Sequence, residues 1–232
     1  TLSLVAALAV ALAIGLRGKE SQLAVFAGGA VGTLLAINLP LLLHSWPVLL
    51  NFYRMEITKP LGYGSLSFAA QLFGWQVREA GSLGFLLACI VLSAIAAWAY
   101  VRRLRPRVGT LVAVFLFVAV LFGPTYTPQT ALWLLFALVL ARPGRTELVA
   151  FTSTQVLYWA AVWGYLAGHL KDGTAGNVYF LALLVRVAVD VWLIGAFLGD
   201  ASKPSRDRSR TPDVPDPIGG VLNEGERLVR LG

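Results

Sequence analysis

Arg186 and Asp190 stand four residues apart in a stretch that is otherwise apolar. On a helix that spacing puts both side chains on one face, within reach of each other. Counted from Val178 at about 1.5 Å per residue, Arg186 lies about 12 Å along that helix and Asp190 about 18 Å along it. A charge at such depth in lipid is costly, so it marks either a functional site or an ion pair that locks helices together. Arg54 and Lys59 are the cations of the 44–81 connection. Arginine suits bidentate contact with a phosphate and lysine offers a point charge, whereas simple snorkelling to lipid head groups needs no specific ligand. Glu56 is close enough in sequence to pair with either. In the turn 123–129, Thr127 reads as a helix cap and Pro128 as the first helical residue. Tyr126 and Gln129 are not explained that way. An amide in a first turn, where the helix end favours anions, is suited to a sugar hydroxyl or a phosphate oxygen. Asn38 and Pro40 predict a polar kink facing a cavity. His44 and His169 fall at helix ends and read as solvated. Cys89 is the single cysteine, so a disulfide within the chain is excluded. HExxH, CxxC, Walker A and GxGxxG patterns are all missing from the sequence, so neither a metal nor a nucleotide cofactor is expected.

The elements that position these residues follow from composition. Of 232 residues, 57% are hydrophobic and 13% charged, against about 25% charged in an ordinary soluble domain. Mean hydropathy is +0.72. A typical water-soluble enzyme is therefore excluded. Seven stretches are apolar enough to be read as spanning helices: 1–16, 22–43, 82–101, 108–123, 129–142, 146–169 and 178–199. Sustained period-2 alternation is missing, so the fold class expected is all-α and not a β-barrel. Residues 1–199 are read as one transmembrane helical domain. The basic residues cluster on alternate connections: Arg17 and Lys19, then Arg102, Arg103, Arg105 and Arg107, then Arg142 and Arg145, then the tail. By the positive-inside rule these face the cytoplasm, which places 44–81, 124–128 and 170–177 outside. The net charge of +7 thus reads as orientation in a plasma membrane and not as a nucleic-acid face. Residues 200–232, with four prolines among charges, read as a disordered cytoplasmic tail. A second possibility is that they touch anionic lipid heads.

The 44–81 connection is too long for a plain turn and rich in aromatics, from Trp46 to Trp75. It predicts short interfacial helices. Pro47 opens one, with Ser45 as its cap, and Pro60 ends it. Gly62 and Gly64 make a turn, and Ser65 caps a second helix running through Gln71 to Trp75. This is either a lid over a site at the outer face or an aromatic belt that only anchors the protein.

The run AINLPLLLHSWPVLLNFYRMEITKPLGYGSLSFAAQLFGW resembles the outer loop of actinobacterial polytopic glycosyltransferases of the GT-C type, close to glycosyltransferase family 87. Asn38, Pro40, Trp46, Phe52, Tyr53, Arg54, Gly64 and Ser65 carry the likeness. YTPQTALWLLFALVLARPGR is similar to that family's Ser-Pro-Gln-Tyr-x-Leu-Trp-Leu segment, with Thr127 in place of Ser and Thr130 in place of Tyr. The resemblance implies transfer of a mannose-type or arabinose-type sugar from a polyprenyl-phosphate donor to a glycan or glycolipid acceptor outside the membrane. It implies binding roles for Arg54, Lys59, Arg186, Gln129, Tyr126, Asn38 and Ser65, and structural roles for Asp190, Thr127 and Pro128. No cofactor is implied beyond the lipid-linked donor. The family's catalytic carboxylate belongs to a first outer loop that would precede Thr1, so the chain is expected to be the C-terminal part of a longer enzyme. A lipid flippase and a non-catalytic membrane subunit are the alternatives.

Overall fold

The computed structural model describes residues 2–15, 20–75, 79–104, 106–142, 144–170 and 173–203. The tail was expected from 200, but the last helix runs on to Ser202 and Asp200 is buried in an ion pair with Arg142; its residues from 204 onward, Arg105 and the pair Arg17 and Lys19 lie outside the described residues. The described residues are helical and contain no strand. In chain order the helices are α1 (Leu2–Gly15), α2 (Glu20–Ile57), α3 (Leu66–Leu72), α4 (Ala80–Val101), α5 (Val108–Leu121), α6 (Thr130–Ala141), α7 (Arg145–Leu166) and α8 (Gly173–Ser202).

At the centre of the bundle is α5. Its run from Val108 to Leu121 is apolar on every side, which is the pattern of a helix enclosed all round. Accordingly α1, α4, α6 and α8 pack around it. Ala7, Ala11 and Ile14 form the buried stripe of α1. On the far side, α8 lies between α5 and α7, and Phe117 of α5 meets Phe197 of α8 edge-on.

Three helices are long and apolar enough to cross a membrane, over Ala24–Met55, Ala80–Val101 and Asn177–Ser202. Seven spans were expected, and the difference has two physical causes. The helices α5 and α6 have 14 and 12 residues. At 1.5 Å per residue they reach about 18–21 Å, short of a hydrocarbon core about 30 Å thick. The 22-residue α7 is long enough, but Arg145, Glu147, Thr152, Ser153, Thr154 and Gln155 dilute it.

The long connection folds as two helical pieces. Ser45 is the one non-helical residue inside α2, with φ −159° and ψ 67°. It separates a long apolar helix from a second piece over 46–57, with Pro47 in its first turn. Asn38 and Pro40 therefore do not form the kink; the break comes at Ser45, and the Asn38 amide donates to Leu34 O one turn back, at 2.8 Å. Ser65 caps α3 as expected, accepting from the Phe68 N–H at 3.0 Å. The helix stops at Leu72, before Trp75, because Gly74 adopts φ +83°. The Gly74 and Trp75 N–H groups then donate to Gln71 O and Ala70 O, a Schellman ending that satisfies the last carbonyls.

Cys89 sits on the outer surface of α4, nine residues from its start, exposed to whatever surrounds the bundle. If α4 crosses a bilayer, that surface is hydrocarbon. In sealed membranes a charged, impermeant maleimide should leave Cys89 unmodified and should modify it fully once the protein is denatured in detergent. Rapid modification in intact membranes would show that α4 is not buried in lipid.

Candidate functional site

The site is built where the 60–65 turn, the 124–127 turn, α7 and α8 converge. The two turns pair through their backbones. The Gly62 N–H donates to Pro124 O and the Tyr126 N–H to Tyr63 O, both at 2.9 Å. Glycine is required at Gly64. Its φ is +77°, and a Cβ there would run into the Tyr158 hydroxyl and sit 2.9 Å from both Cβ and O of Tyr126.

Beneath this joint lies Arg186, 2% exposed, with Asp190 also at 2%. Arg186 Nη2 donates to Gly64 O at 2.8 Å and Nη1 donates to Asp190 Oδ2 at 3.2 Å. The guanidinium carbon stands 3.7 Å from the centre of the Tyr126 ring and 5.2 Å from that of Tyr158. A desolvated cation stacked on an aromatic face is held by the ring quadrupole. The Gly64 N–H donates to the Tyr179 hydroxyl at 3.1 Å, and the Tyr126 hydroxyl donates to Gln155 Oε1 at 2.6 Å. Burial pushes the Tyr126 phenol well above its ordinary range, while the charge of Arg186 pulls it back. It therefore stays a neutral hydrogen-bond donor. Around this centre Tyr63 and Phe68 pack edge-on against Tyr165, and Phe68 also against Tyr179. The 60–68 segment is thus seated on the ends of α7 and α8 by rings as well as by the arginine.

Three polar atoms in and beside this centre have no hydrogen-bond partner among the described residues: Arg186 Nε, Asp190 Oδ1 and Gln155 Nε2. Buried unpaired groups of this kind are uncommon and each calls for a reason.

The arrangement redistributes the expected site residues. It brings together Arg186, Asp190, Tyr126 and, through Gly64, the start of the segment capped by Ser65. Ser65 is buried, and its hydroxyl donates to Gly62 O at 3.0 Å, so it closes the turn instead of facing a ligand. Arg186 is likewise enclosed and engaged, which makes it a positioning residue for the loop. Arg54 is exposed in the last turn of α2, Lys59 is exposed beyond it, and Gln129 is exposed before α6. No hydrogen bond or ion pair among the described residues joins Arg54 or Gln129 to the Arg186 centre. The side chain of Glu56 and all of Asp172 lie outside the described residues. Thr127 does not cap α6 with its hydroxyl, which instead lies 3.1 Å from that of Thr130. The Thr130 N–H donates to Thr127 O and the Ala131 N–H to Pro128 O. These tight i to i+3 bonds are of the 3₁₀ type and take over the start of the helix.

Searched against family models, curated proteins and solved structures, the chain matches none.

Tyr158, Tyr179, Gln155 and Gly64's carbonyl had not been singled out in the sequence. A signal for Tyr179 was present: Tyr179, Leu183, Arg186, Asp190, Leu193 and Phe197 recur at three- and four-residue steps, and all are buried. Nothing in sequence spacing linked that stripe to Gly64, 122 residues away from Arg186.

A second polar centre stands at the other end of the bundle. Arg142 Nε donates to Glu147 Oε1 at 2.7 Å, and its Nη1 reaches both oxygens of Asp200 at 2.6 Å. Arg107 Nη1 donates to Ala141 O at 3.4 Å. These arginines, expected as plain cytoplasmic charges, also tie the ends of α5, α6, α7 and α8.

Removing one member of a buried pair strands the other, at a cost of about 3–5 kcal/mol. Arg186→Met and Asp190→Leu should each lower stability by about that much, and the double variant should cost clearly less than their sum. A double-mutant cycle read by denaturant unfolding in detergent checks this. Simple additivity would mean that the pair does not interact.

Proposed function

We propose that the chain is the membrane-embedded, outer-loop part of a glycosyltransferase that uses a polyprenyl-phosphate sugar outside the membrane. One observation carries the reading: the outer turn 60–65 is pinned by Arg186, so the loop that bears Arg54 and Lys59 has a fixed landing on the bundle. The likeness of this loop and of the YTPQ turn to GT-C enzymes supplies the reaction. Lipid-linked phosphates sit at the depth of such interfacial helices, and departing phosphate is stabilised by cations and by N–H donors fixed in advance. We assign that role to Arg54 and Lys59, with Gln129 after the second turn; Tyr126, buried with its hydroxyl on Gln155, acts through the joint and does not touch the donor. Arg186 acts through the loop and does not touch the donor. Acceptor activation requires a general base. Among described acidic side chains, Glu147, Asp190 and Asp200 are buried and Glu79 is exposed, and we assign the base to none of them.

A polytopic arrangement with the basic connections inside the cell is part of the same proposal. The short helices α5 and α6 then sit within a locally thinned or shielded region, bounded by the Arg186 centre and the Arg142 centre. A flippase draws no support from Arg186 and Asp190, since both are sealed under Gly64. The subunit alternative has one feature in its favour: none of the most apolar window of α2 is covered by the rest of the bundle. A helix apolar all round and uncovered fits contact with further membrane helices.

The test is donor binding, which does not depend on the location of the base. Purified protein in lipid nanodiscs should retain a polyprenyl-phosphate mannose or arabinose in native mass spectrometry. Arg54→Ala should weaken retention about tenfold, the scale of one hydrogen bond to a charged group. Gln129→Ala should weaken it less. Equal retention of the lipid by wild type and Arg54→Ala, or none by either, would overturn the assignment.

A further inference from the structure

The helices α4 and α8 are two of the three long and apolar enough to cross a membrane. A groove of about 570 Å³ runs between them. On α4, Ile90, Ala94 and Trp98 line it at four-residue steps, over about 12 Å. On α8, Leu198 and Ser202 line it, again four residues apart. None of its lining residues carries a charge, and the Ser202 hydroxyl is engaged, donating to Gly199 O at 2.8 Å. Asp200 lies midway between Leu198 and Ser202 in sequence, about 200° around the helix from each. The Arg142 centre and the groove therefore use opposite faces of α8.

Charge begins where the groove ends. Arg102 follows Trp98 by four residues and its N–H donates to Trp98 O at 3.0 Å, so it continues the same stripe of α4. Arg103 comes next, and Lys203 follows Ser202. All three are exposed, and their side chains have no hydrogen bond or ion pair among the described residues. The exposed acid among the described side chains, Glu79, is at the opposite end of α4. Arg103 also holds φ +52°, the left-handed position on which a helix usually ends with glycine. The Arg103 N–H donates to Tyr100 O and the Leu104 N–H to Ala99 O, completing a Schellman ending. An arginine at that position carries a strain that glycine would avoid.

The 22 residues of α4 reach about 33 Å, enough to cover a hydrocarbon core about 30 Å thick. Arg102 and Arg103 then emerge at head-group level, with Trp98 one turn inside, where amphipathic rings belong. Three cations without acidic partners, at the head-group end of an apolar groove, fit a negative head joined to hydrocarbon. A free phosphate would leave the groove unused, and a zwitterionic lipid brings no net charge to the cations. This is also the basic end, which the positive-inside rule turns toward the leaflet that carries anionic diacyl lipids. We propose that the groove holds one anionic diacyl phospholipid, its phosphate on Arg102, Arg103 and Lys203 and an acyl chain along Ala94 and Leu198. The inference rests on α4 and α8 crossing a membrane with these ends inside the cell, and is independent of glycosyl transfer.

The experiment uses the whole chain in phosphatidylcholine nanodiscs. They are doped with phosphatidylglycerol bearing a photoreactive tail, with phosphatidylcholine bearing the same tail, or with a photoreactive polyprenyl phosphate. Crosslinks are mapped by mass spectrometry. In wild type, Ala94 and Leu198 should be labelled by phosphatidylglycerol over phosphatidylcholine by about tenfold or more. Trp133 and Phe136, exposed on α6, should show no such preference. The triple variant Arg102→Gln, Arg103→Gln, Lys203→Gln replaces only exposed side chains and should abolish the preference. Arg145→Gln removes an exposed cation at the start of α7 and should leave it intact. Arg103→Gly should lower the preference while raising the melting temperature by about 2–4 °C, because the left-handed strain is relieved. Ala94→Trp, which fills the groove, should reduce labelling at Leu198 by both diacyl lipids. Equal labelling by the two diacyl lipids in wild type overturns the proposal, as does a preference that survives the triple variant or disappears in Arg145→Gln. Stronger labelling of the groove by polyprenyl phosphate than by phosphatidylglycerol overturns it too. Labelling of neither α4 nor α8 by any lipid refutes their membrane placement, and the inference with it.

Discussion

One buried cation organises one end of this protein. The Arg186 guanidinium is removed from water and held from three directions, by Asp190 on its own helix, the Gly64 carbonyl of a distant loop and the face of Tyr126, while its Nε has no hydrogen-bond partner among the described residues. A charge in such a place is tolerated only while its partners stay put. The loop, the second turn and two helices are therefore fixed relative to one another by the cost of stranding that charge. This explains why Gly64 has to be glycine and why Ser65 spends its hydroxyl on Gly62 O and on the first turn of α3.

The opposite end repeats the device with different chemistry. Arg142 bridges Glu147 of α7 and Asp200 of α8, and Arg107 reaches the last carbonyl of α6. Between the two centres, Arg186 and Asp200 are fourteen residues apart on α8, about 21 Å at helical rise. The core between them is mostly apolar or aromatic, with Thr110 and Gln155 among its buried polar residues. The bundle is thus a short hydrophobic drum with an arginine clamp at each end. The shortness of α5 and α6 is part of that construction. The long helices α2, α4 and α8 meet the full length and composition of a membrane span.

The helices were readable from sequence because apolar runs bounded by Arg, Pro and Gly leave few other choices. The stretches 82–101, 108–123 and 178–199 correspond to α4, α5 and α8 with shifts of a few residues, and the Ser65 cap was foreseen from its hydroxyl and the helix that follows. Whether each run crosses a bilayer was a separate matter, since it depends on length to within a turn and on polar dilution such as that of α7. The site was only half visible. The i, i+4 spacing of Arg186 and Asp190 announced a pair, but the third partner is a backbone carbonyl, and every residue has one. For the same reason Gln155 passed unnoticed: its amide matters because of what Tyr126 leaves unpaired. The exposed cations Arg54 and Lys59 were picked out by residue type, and their ligand remains the proposal that the donor-binding experiment decides.

If Arg186 holds the 60–65 turn down, the amides of that joint should be protected by the same buried charge. Hydrogen exchange followed by mass spectrometry reads this at Gly62, Gly64 and Tyr126, against the core of α5 as an internal reference. Slow exchange at all three in wild type is predicted. In Arg186→Met, exchange in segments 60–66 and 124–127 should accelerate strongly while residues 113–118 stay protected. Fast exchange of the joint in wild type, or a joint that stays protected after Arg186→Met, would contradict the account.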